Sequence, residues 1–346
     1  MRPFTTILVF CATALGLAAV EPTGSVPFVV TTNTILDDLV RQVGGDRVRT
    51  HCLVAPGADP HTFEPRPSDV KHLARANLLV VNGLDLEPAI LRLAQNSGFR
   101  GALVVATTGL TPRTGGCTHD HHTEGTDAHE HTATCAHDHH DTVSASPATA
   151  HRPTPTGNRP PATVHRPPST DSAPDPHAWQ SPLAVKTYVA NIRDALARAN
   201  LGSSAYYTER AEAYLAQLDA LDLWVREQIE SVPPAHRKLV TSHDSLGYYA
   251  DAYGFETIPV AGLSSSAEPD ARAVAGIIDL IRREQVPAVF IELTTNPKLV
   301  RQIGADASVR LAEPLFTDSL GAPGSGADTY LGLIRTNTAR IVSALR

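Results

Sequence analysis

Four short stretches of the chain put a side chain able to ligate a metal into a turn. They are Ala58-Asp-Pro-His61-Thr-Phe-Glu-Pro, Pro174-Asp-Pro-His177-Ala-Trp, Thr241-Ser-His243-Asp-Ser-Leu-Gly-Tyr-Tyr and Leu315-Phe-Thr-Asp318-Ser-Leu-Gly. In open α/β proteins ligands collect outside the carboxyl ends of strands, where His61, His243 and Asp318 are expected to fall, so one shared site is the economical reading. The two Asp-Pro-His triplets strengthen it, because proline fixes the backbone ahead of the imidazole and less entropy is lost when the ligand is immobilised. Plainer roles compete. His61 and His177 could be turn imidazoles bonded to backbone, Asp244 could cap a helix beginning near His243, and Thr-Asp-Ser around Asp318 is also an ordinary capping pattern. Glu64 and Glu292 stand in reserve as carboxylates. His61 and Glu64 form a His-x-x-Glu, but Pro65 leaves no helix to present both on one face, which argues against a metalloprotease.

Histidine is also concentrated elsewhere. Of 16 in the chain, His119, His121, His122, His129, His131, His137, His139 and His140 fall in one stretch between and beyond Cys117 and Cys135, interspersed with Asp and Glu. Clustered imidazoles offer many interchangeable weak metal sites. Around them, from about 108 to 176, the chain is Thr, Pro, Gly, Ala, Ser, His and Asp with almost no large apolar residue. Such a segment cannot bury enough surface to offset its ordering entropy, and a disordered loop is expected.

With 346 residues, 42% hydrophobic and 19% charged, the rest is long and apolar enough for one large or two medium domains. A net charge of −7 (29 Lys+Arg against 36 Asp+Glu) lacks the basic footprint of a nucleic-acid binder. The opening MRPFTTILVFCATALGLAAVEP carries Arg2, then an apolar run from Ile7 to Val20 that is shorter than the ~20 residues a membrane span requires. It reads as a secretory signal peptide over residues 1–20, cut near Ala18 or Ala19. Phe10 before Cys11 does not suit a lipoprotein signal. Cys52, Cys117 and Cys135 would remain in an oxidising compartment, an odd number whose pairing the sequence leaves open.

The elements that must position these residues alternate. Strand-like runs at 26–32, 48–54, 78–81 and 102–106 are separated by helical patterns at 33–43, 67–76 and 86–95. After the histidine-rich stretch come helices at 181–199 and 203–230, the second with Tyr207, Ala211, Tyr214, Leu218, Leu221, Val225 and Ile229 at helical spacing. Alternation then resumes: strands at 238–241, 255–260, 288–292 and near Val309, and helices at 246–253, 270–284, 297–303 and from Ala327 onward. Two α/β lobes are predicted, each a parallel-type sheet flanked by helices, joined by one long rigid helix. The boundaries are an N-terminal lobe over 21–202, a linking helix over 203–232 and a C-terminal lobe over 233–346. Trp224 on that helix is expected to pack between lobes, and Trp179 to shield His177.

In sequence order, the four turns resemble the metal-site motifs of the zinc/manganese solute-binding proteins of ABC transporters, the ZnuA-like and TroA-like class. The resemblance extends over nearly the whole chain, down to Ala-Asp328-Thr-Tyr-Leu-Gly-Leu-Ile-Arg-Thr-Asn337. It implies one metal in a cleft, held by His61 and His177 from the first lobe and His243 and Asp318 from the second. Three nitrogens and one oxygen suit Zn²⁺, whereas Mn²⁺ favours more oxygen donors. Manganese-type members tend to carry a carboxylate where His243 stands. A fourth protein ligand closes the site, which suits carriage and not catalysis, since a zinc enzyme keeps a position open for water. The resemblance further implies a non-enzymatic, periplasmic, monomeric zinc carrier with an ABC permease as partner and a periplasmic zinc chaperone as a further candidate. The histidine loop would collect zinc or sense its abundance. A manganese or iron carrier, a zinc hydrolase and a metal-buffering adhesin are the alternatives. Affinity is expected to fall as pH drops below about 6.5, where free histidines protonate.

Overall fold

The computed structural model describes residues 26–114, 173–263 and 271–346. The expected signal peptide, all eight histidines from His119 to His140, and Cys117 and Cys135 lie outside the described residues.

The first lobe runs β1 (Phe28–Thr31), α1 (Thr34–Gly44), β2 (Arg49–Cys52), α2 (Pro67–Arg75), β3 (Leu78–Val81), α3 (Pro88–Asn96) and β4 (Ala102–Val105), followed after the histidine-rich region by α4 (Pro182–Ala199). All pairings are parallel, in the order β2-β1-β3-β4. Parallel neighbours need a crossover, and the intervening helices supply it. β3 is Leu-Leu-Val-Val with all four residues buried, as expected of an inner strand covered on both faces. α1 forms because Ile35, Leu36, Leu39, Val40 and Val43 make one buried stripe. Its start is fixed by Asn33 Oδ1, which accepts from Leu36 N at 2.9 Å, a cap worth about 1 kcal/mol. Gly45 ends it at φ +55, and a Cβ there would lie 2.2 Å from the Tyr206 hydroxyl, so glycine meets both demands.

α5 (Ser204–Ile229) follows, 26 residues and about 39 Å long. The seven residues picked out by spacing are the ones it buries, with Asp222 added. At its first turn Tyr207 donates to Arg47 O (2.9 Å) in the first lobe. Near its end Asp222 accepts from Tyr253 (3.0 Å) and Arg226 donates to Ala252 O (3.1 Å) in the second. One helix is thus bonded to both lobes. Trp224 is half-buried on it beneath the Arg335 guanidinium.

The second lobe comprises β5 (Lys238–Thr241), α6 (Gly247–Tyr253), β6 (Glu256–Pro259), α7 (Ala271–Arg283), β7 (Ala288–Val289), α8 (Lys298–Ala307), β8 (Arg310–Leu311) and α9 (Tyr330–Leu345). Its sheet is again parallel, in the order β6-β5-β7-β8, so the two lobes share a topology although no sequence repeat is visible. The strand expected over 288–292 is regular only at Ala288–Val289. Beyond it Glu292 keeps a single parallel bridge to Leu315 while its carboxylate turns toward His243. α9 returns to the first lobe, where Tyr330 N donates to Asp38 Oδ2 at 2.8 Å. The segment read as a loop from 108 to 176 is ordered at both ends. Thr114 and Pro174 form an antiparallel bridge, and Arg113 donates to Asp175 (3.2 Å) and Asp251 (3.0 Å), ion pairs that hydrophobic patterning does not register. No helix among the described residues is long and apolar enough to cross a membrane.

Candidate metal centre

Each Asp-Pro-His triplet folds into the same device. Asp59 Oδ1 accepts from His61 N at 2.8 Å, and Asp175 Oδ1 accepts from His177 N at 2.9 Å. An aspartate bonded two residues ahead is an Asx turn, and the intervening proline presets its backbone. The first triplet opens the single 3₁₀ turn Pro60–Thr62, and the second leads into another, Ala178–Gln180, ahead of α4. His243 lies two residues beyond β5, with Thr241 Oγ1 donating to its carbonyl at 2.8 Å. Asp318 lies beyond β8, with Trp179 Nε1 and Gln180 Nε2 both donating to the preceding carbonyl of Thr317 at 2.7 Å.

These four side chains meet. Their ligand atoms all lie within 4.8 Å of one another. His61 Nε2 is 3.1 Å from His177 Nε2, which is 3.6 Å from Asp318 Oδ1, and His243 Nε2 is 3.5 Å from Asp318 Oδ2. Donors about 2.0–2.1 Å from a common ion stand about 3.3 Å apart on a tetrahedron, so these spacings need little change to admit one. His177, His243 and Asp318 are buried, while His61 is partly exposed and forms the open side. At the centre, His243 Nε2 and Asp318 Oδ1 are buried without a hydrogen-bond partner. Leaving such groups unpaired costs about 1–3 kcal/mol each, more when charged, which a cation between them would offset.

A second layer of carboxylates aims the rings. Asp175 Oδ1 lies 2.8 Å from His177 Nδ1 and Glu292 Oε2 lies 2.9 Å from His243 Nδ1, an arrangement that sets Nδ1 of each ring against a carboxylate and turns Nε2 toward the centre. Glu292 is itself held by His243 N (3.0 Å) and Ser245 Oγ (2.7 Å). Asp318 Oδ2 accepts from Thr294 (2.9 Å) and Thr317 (3.1 Å), leaving Oδ1 free. Trp179 is buried edge-on to His177, with ring centroids 5.3 Å apart. Of the two reserves, Glu64 is exposed and outside the cluster, and Glu292 stands behind His243 instead of facing the centre. Asp244 faces Arg113 at 3.7 Å and caps no helix. The orienting role of Asp175 was latent in the Asp-Pro-His triplet itself. That of Glu292 had no local signal, because it depends on β7 lying beside β5.

Electrostatics divides the histidines. Burial holds His177 well below the usual imidazole range and lowers His61. Burial also pulls on His243, but Glu292 and Asp318 together overcome it and push this imidazole up to about 10. For Glu292 burial acts upward and is outweighed by His243, which, with the bonds from Ser245 and the His243 amide, brings it down to about 2. Asp175 is raised to about 6 by burial, against the His177 amide and Arg113. Among the described residues Cys52 has no disulfide partner, and desolvation pushes its partly buried thiol up to about 12.

Two topologically matched α/β lobes, one bridging helix, and inward-facing imidazole and carboxylate donors define a solute-binding protein for a metal ion. Residues 29–344 match the family described as ZnuA, zinc-uptake complex component A, periplasmic, and the chain belongs to that family. It is therefore a substrate-binding component of a metal ABC transporter, a class that works with a membrane permease and an ATPase. Among named relatives, the manganese-binding lipoprotein MntA of Halalkalibacterium halodurans is 29% identical over 317 residues, covering 92% of this chain and 88% of that one. The zinc-binding protein TroA of Treponema pallidum is 29% identical over 325 residues, covering 92% and 89%. The iron-binding protein YfeA of Yersinia pestis is 27% identical over 306 residues, covering 88% and 82%. The solved structure of the Treponema periplasmic zinc-binding protein superposes with a TM-score of 0.73 at 26% identity, covering 92% of this chain and 99% of that one.

Proposed function

We propose that this protein is an exported zinc carrier that binds Zn²⁺ through His61, His177, His243 and Asp318 and delivers it to its ABC permease. The observation that carries the choice of metal is the Asp318 carboxylate. With Oδ2 bonded to two threonine hydroxyls and Oδ1 left unpartnered, it offers one oxygen. Together with three imidazole nitrogens that makes four donors, the set Zn²⁺ favours, where Mn²⁺ would want more oxygens. Four protein donors leave no position for an activated water, which favours carriage over a zinc hydrolase. A manganese or iron carrier is the second reading, favoured by the names of MntA and YfeA. The chain acts in the periplasm after loss of residues 1–20, as a monomer, and a zinc chaperone is a further candidate partner. The histidines from His119 to His140 collect zinc for the cleft.

The deciding measurement is competition of Zn²⁺ against Mn²⁺ on protein lacking residues 117–140, followed by metal analysis. Zinc should be retained at one equivalent against a large excess of manganese. Displacement at comparable free concentrations would overturn the zinc assignment. Deleting 117–140 should lower zinc load and transfer rate; if both stay the same along with growth at low zinc, the collecting role is wrong.

A further inference from the structure

A second group of donors lies at the edge of the first sheet, sharing no residue with the cleft. His51 stands on the edge strand β2. Asp69 and His72 stand on α2, three residues apart and hence on one face of the helix. Their ligand atoms all lie within 4.8 Å of one another. The two imidazole rings are stacked, with centroids 3.7 Å apart and planes 30° from parallel.

Stacking alone does not account for the group. His72 Nδ1 is buried with no hydrogen-bond partner, a cost that ring contact does not offset. Asp69 is almost wholly buried at 6% exposure, unusual for an aspartate in the first turn of a surface helix. Its carboxylate is already oriented: Oδ2 accepts from Arg66 N at 2.7 Å as a helix cap, and Oδ1 has a longer contact of 3.3 Å with Ser68 Oγ. Oδ2 is fixed by the backbone, while Oδ1 keeps only the longer contact, and a carboxylate oxygen of Asp69 lies within 4.8 Å of a ring nitrogen of each histidine. His51 and His72 are each partly exposed, so water can reach the open side.

We propose that His51, Asp69 and His72 form a second metal site, for a divalent transition cation that accepts imidazole, with water completing its coordination. Two nitrogens and one oxygen suit Zn²⁺ and disfavour Mg²⁺ or Ca²⁺, which take oxygens. With three protein ligands and partial exposure the site binds more weakly than the four-ligand cleft and exchanges faster. It adds one cation to the chain independently of the cleft, and it stands whether or not the cleft prefers zinc.

The test uses the full chain and zinc chloride alone. Equilibrium dialysis across graded free zinc, with metal analysis, compares the unaltered protein with the His51→Gln/His72→Gln variant. The histidines from His119 to His140 contribute equally to both and cancel in the difference. The variant should lose one equivalent in the weaker part of the isotherm and keep the tight equivalent of the cleft. Identical isotherms overturn the proposal. Should the double variant fail to fold, zinc-edge anomalous diffraction from zinc-soaked crystals of the unaltered protein decides the matter. A peak among the three side chains supports the site, and a peak in the cleft with none there refutes it.

Discussion

The two lobes have the same strand order and use it differently. In each, the order reverses at a switch point where a carboxylate reaches back beneath the first strand's loop. In the second lobe this is Glu292, bonded to the His243 amide and Ser245 and set against His243 Nδ1. In the first it is Glu87, which accepts from Asn82 N (2.6 Å), Gly83 N (3.1 Å) and Thr32 Oγ1 (2.7 Å), with Tyr188 bonded to Asn82 above it. One crevice presents His243 and the other is filled by a network that fixes the loop around Pro176, whose carbonyl accepts from Asn82. The first lobe therefore presents its two imidazoles from Asx turns, both shifted toward the neutral form by burial. The second lobe supplies the charged partners. A shared fold does not dictate a shared role, because the site depends on what occupies each crevice.

The largest expected effect comes from breaking the charged half. Asp318→Ala leaves a buried dication facing nitrogens alone and should cost more than the ~10–100-fold typical of second-layer changes. His61→Ala acts on the open side, where water can take the vacated position, and should cost less. Chelator competition in protein lacking residues 117–140 measures both. A His61 variant as weak as the Asp318 variant would dissolve the distinction between lobes.

Next in size is the pH dependence. On the proposed ligation zinc would have to displace a proton from His243, whose folded pKa of about 10 lies above the ordinary ~6.5. Raised in the metal-free protein, it opposes binding at neutral pH, so affinity should climb about tenfold per pH unit from 7 to 9 and level off near 10. The fall expected from unperturbed histidines below about 6.5 thus moves upward, because two carboxylates hold this proton. His61 and His177, shifted downward, contribute nothing in that window. Calorimetry in buffers of different ionisation enthalpy should report about one proton released per zinc near pH 8; no release would remove His243 as the protonated ligand.

Much of this was legible in the sequence, for reasons that can be named. β3 is bounded to the residue because Leu-Leu-Val-Val is a continuous apolar run between Asn77 and Asn82, β5 matches its expected span of 238–241, and α5 falls within one residue of its expected ends because seven of its eight buried residues keep helical spacing. The four donors were legible because each sits in a short turn of restricted chemistry. The perturbed proton was not, since it depends on Glu292 reaching His243 across 49 residues. Nor was the surface cluster, since no local pattern marks His51 or His72 and only the fold brings the two rings together.

Second-layer substitutions rank below the ligand and the proton. Glu292→Gln should weaken zinc binding roughly 10–100-fold and also reduce the proton release, since the larger of the two charge effects that raise His243 is gone while that of Asp318 remains. Asp175→Asn should fall at the low end of that range and leave proton release intact, because His177 is already neutral. Equal proton release from the Glu292 and Asp175 variants would contradict the charge assignment.

The smallest effect on affinity is expected at the matched carboxylate of the other lobe. Glu87→Gln keeps the shape but turns an amide donor toward backbone N–H groups, so a buried bond is lost at a cost of about 1–3 kcal/mol of stability. Because Glu87 does not face the donors, zinc affinity should stay within about twofold, the range in which uncoupled sites remain additive. Thermal unfolding with and without zinc separates the two quantities. The metal-free variant should melt earlier, and the stabilisation zinc confers should be unchanged. If that stabilisation shrinks as it does for Glu292→Gln, the two crevices are coupled through Asn82 and the Pro176 carbonyl to His177, and the division of labour between the lobes fails at that link.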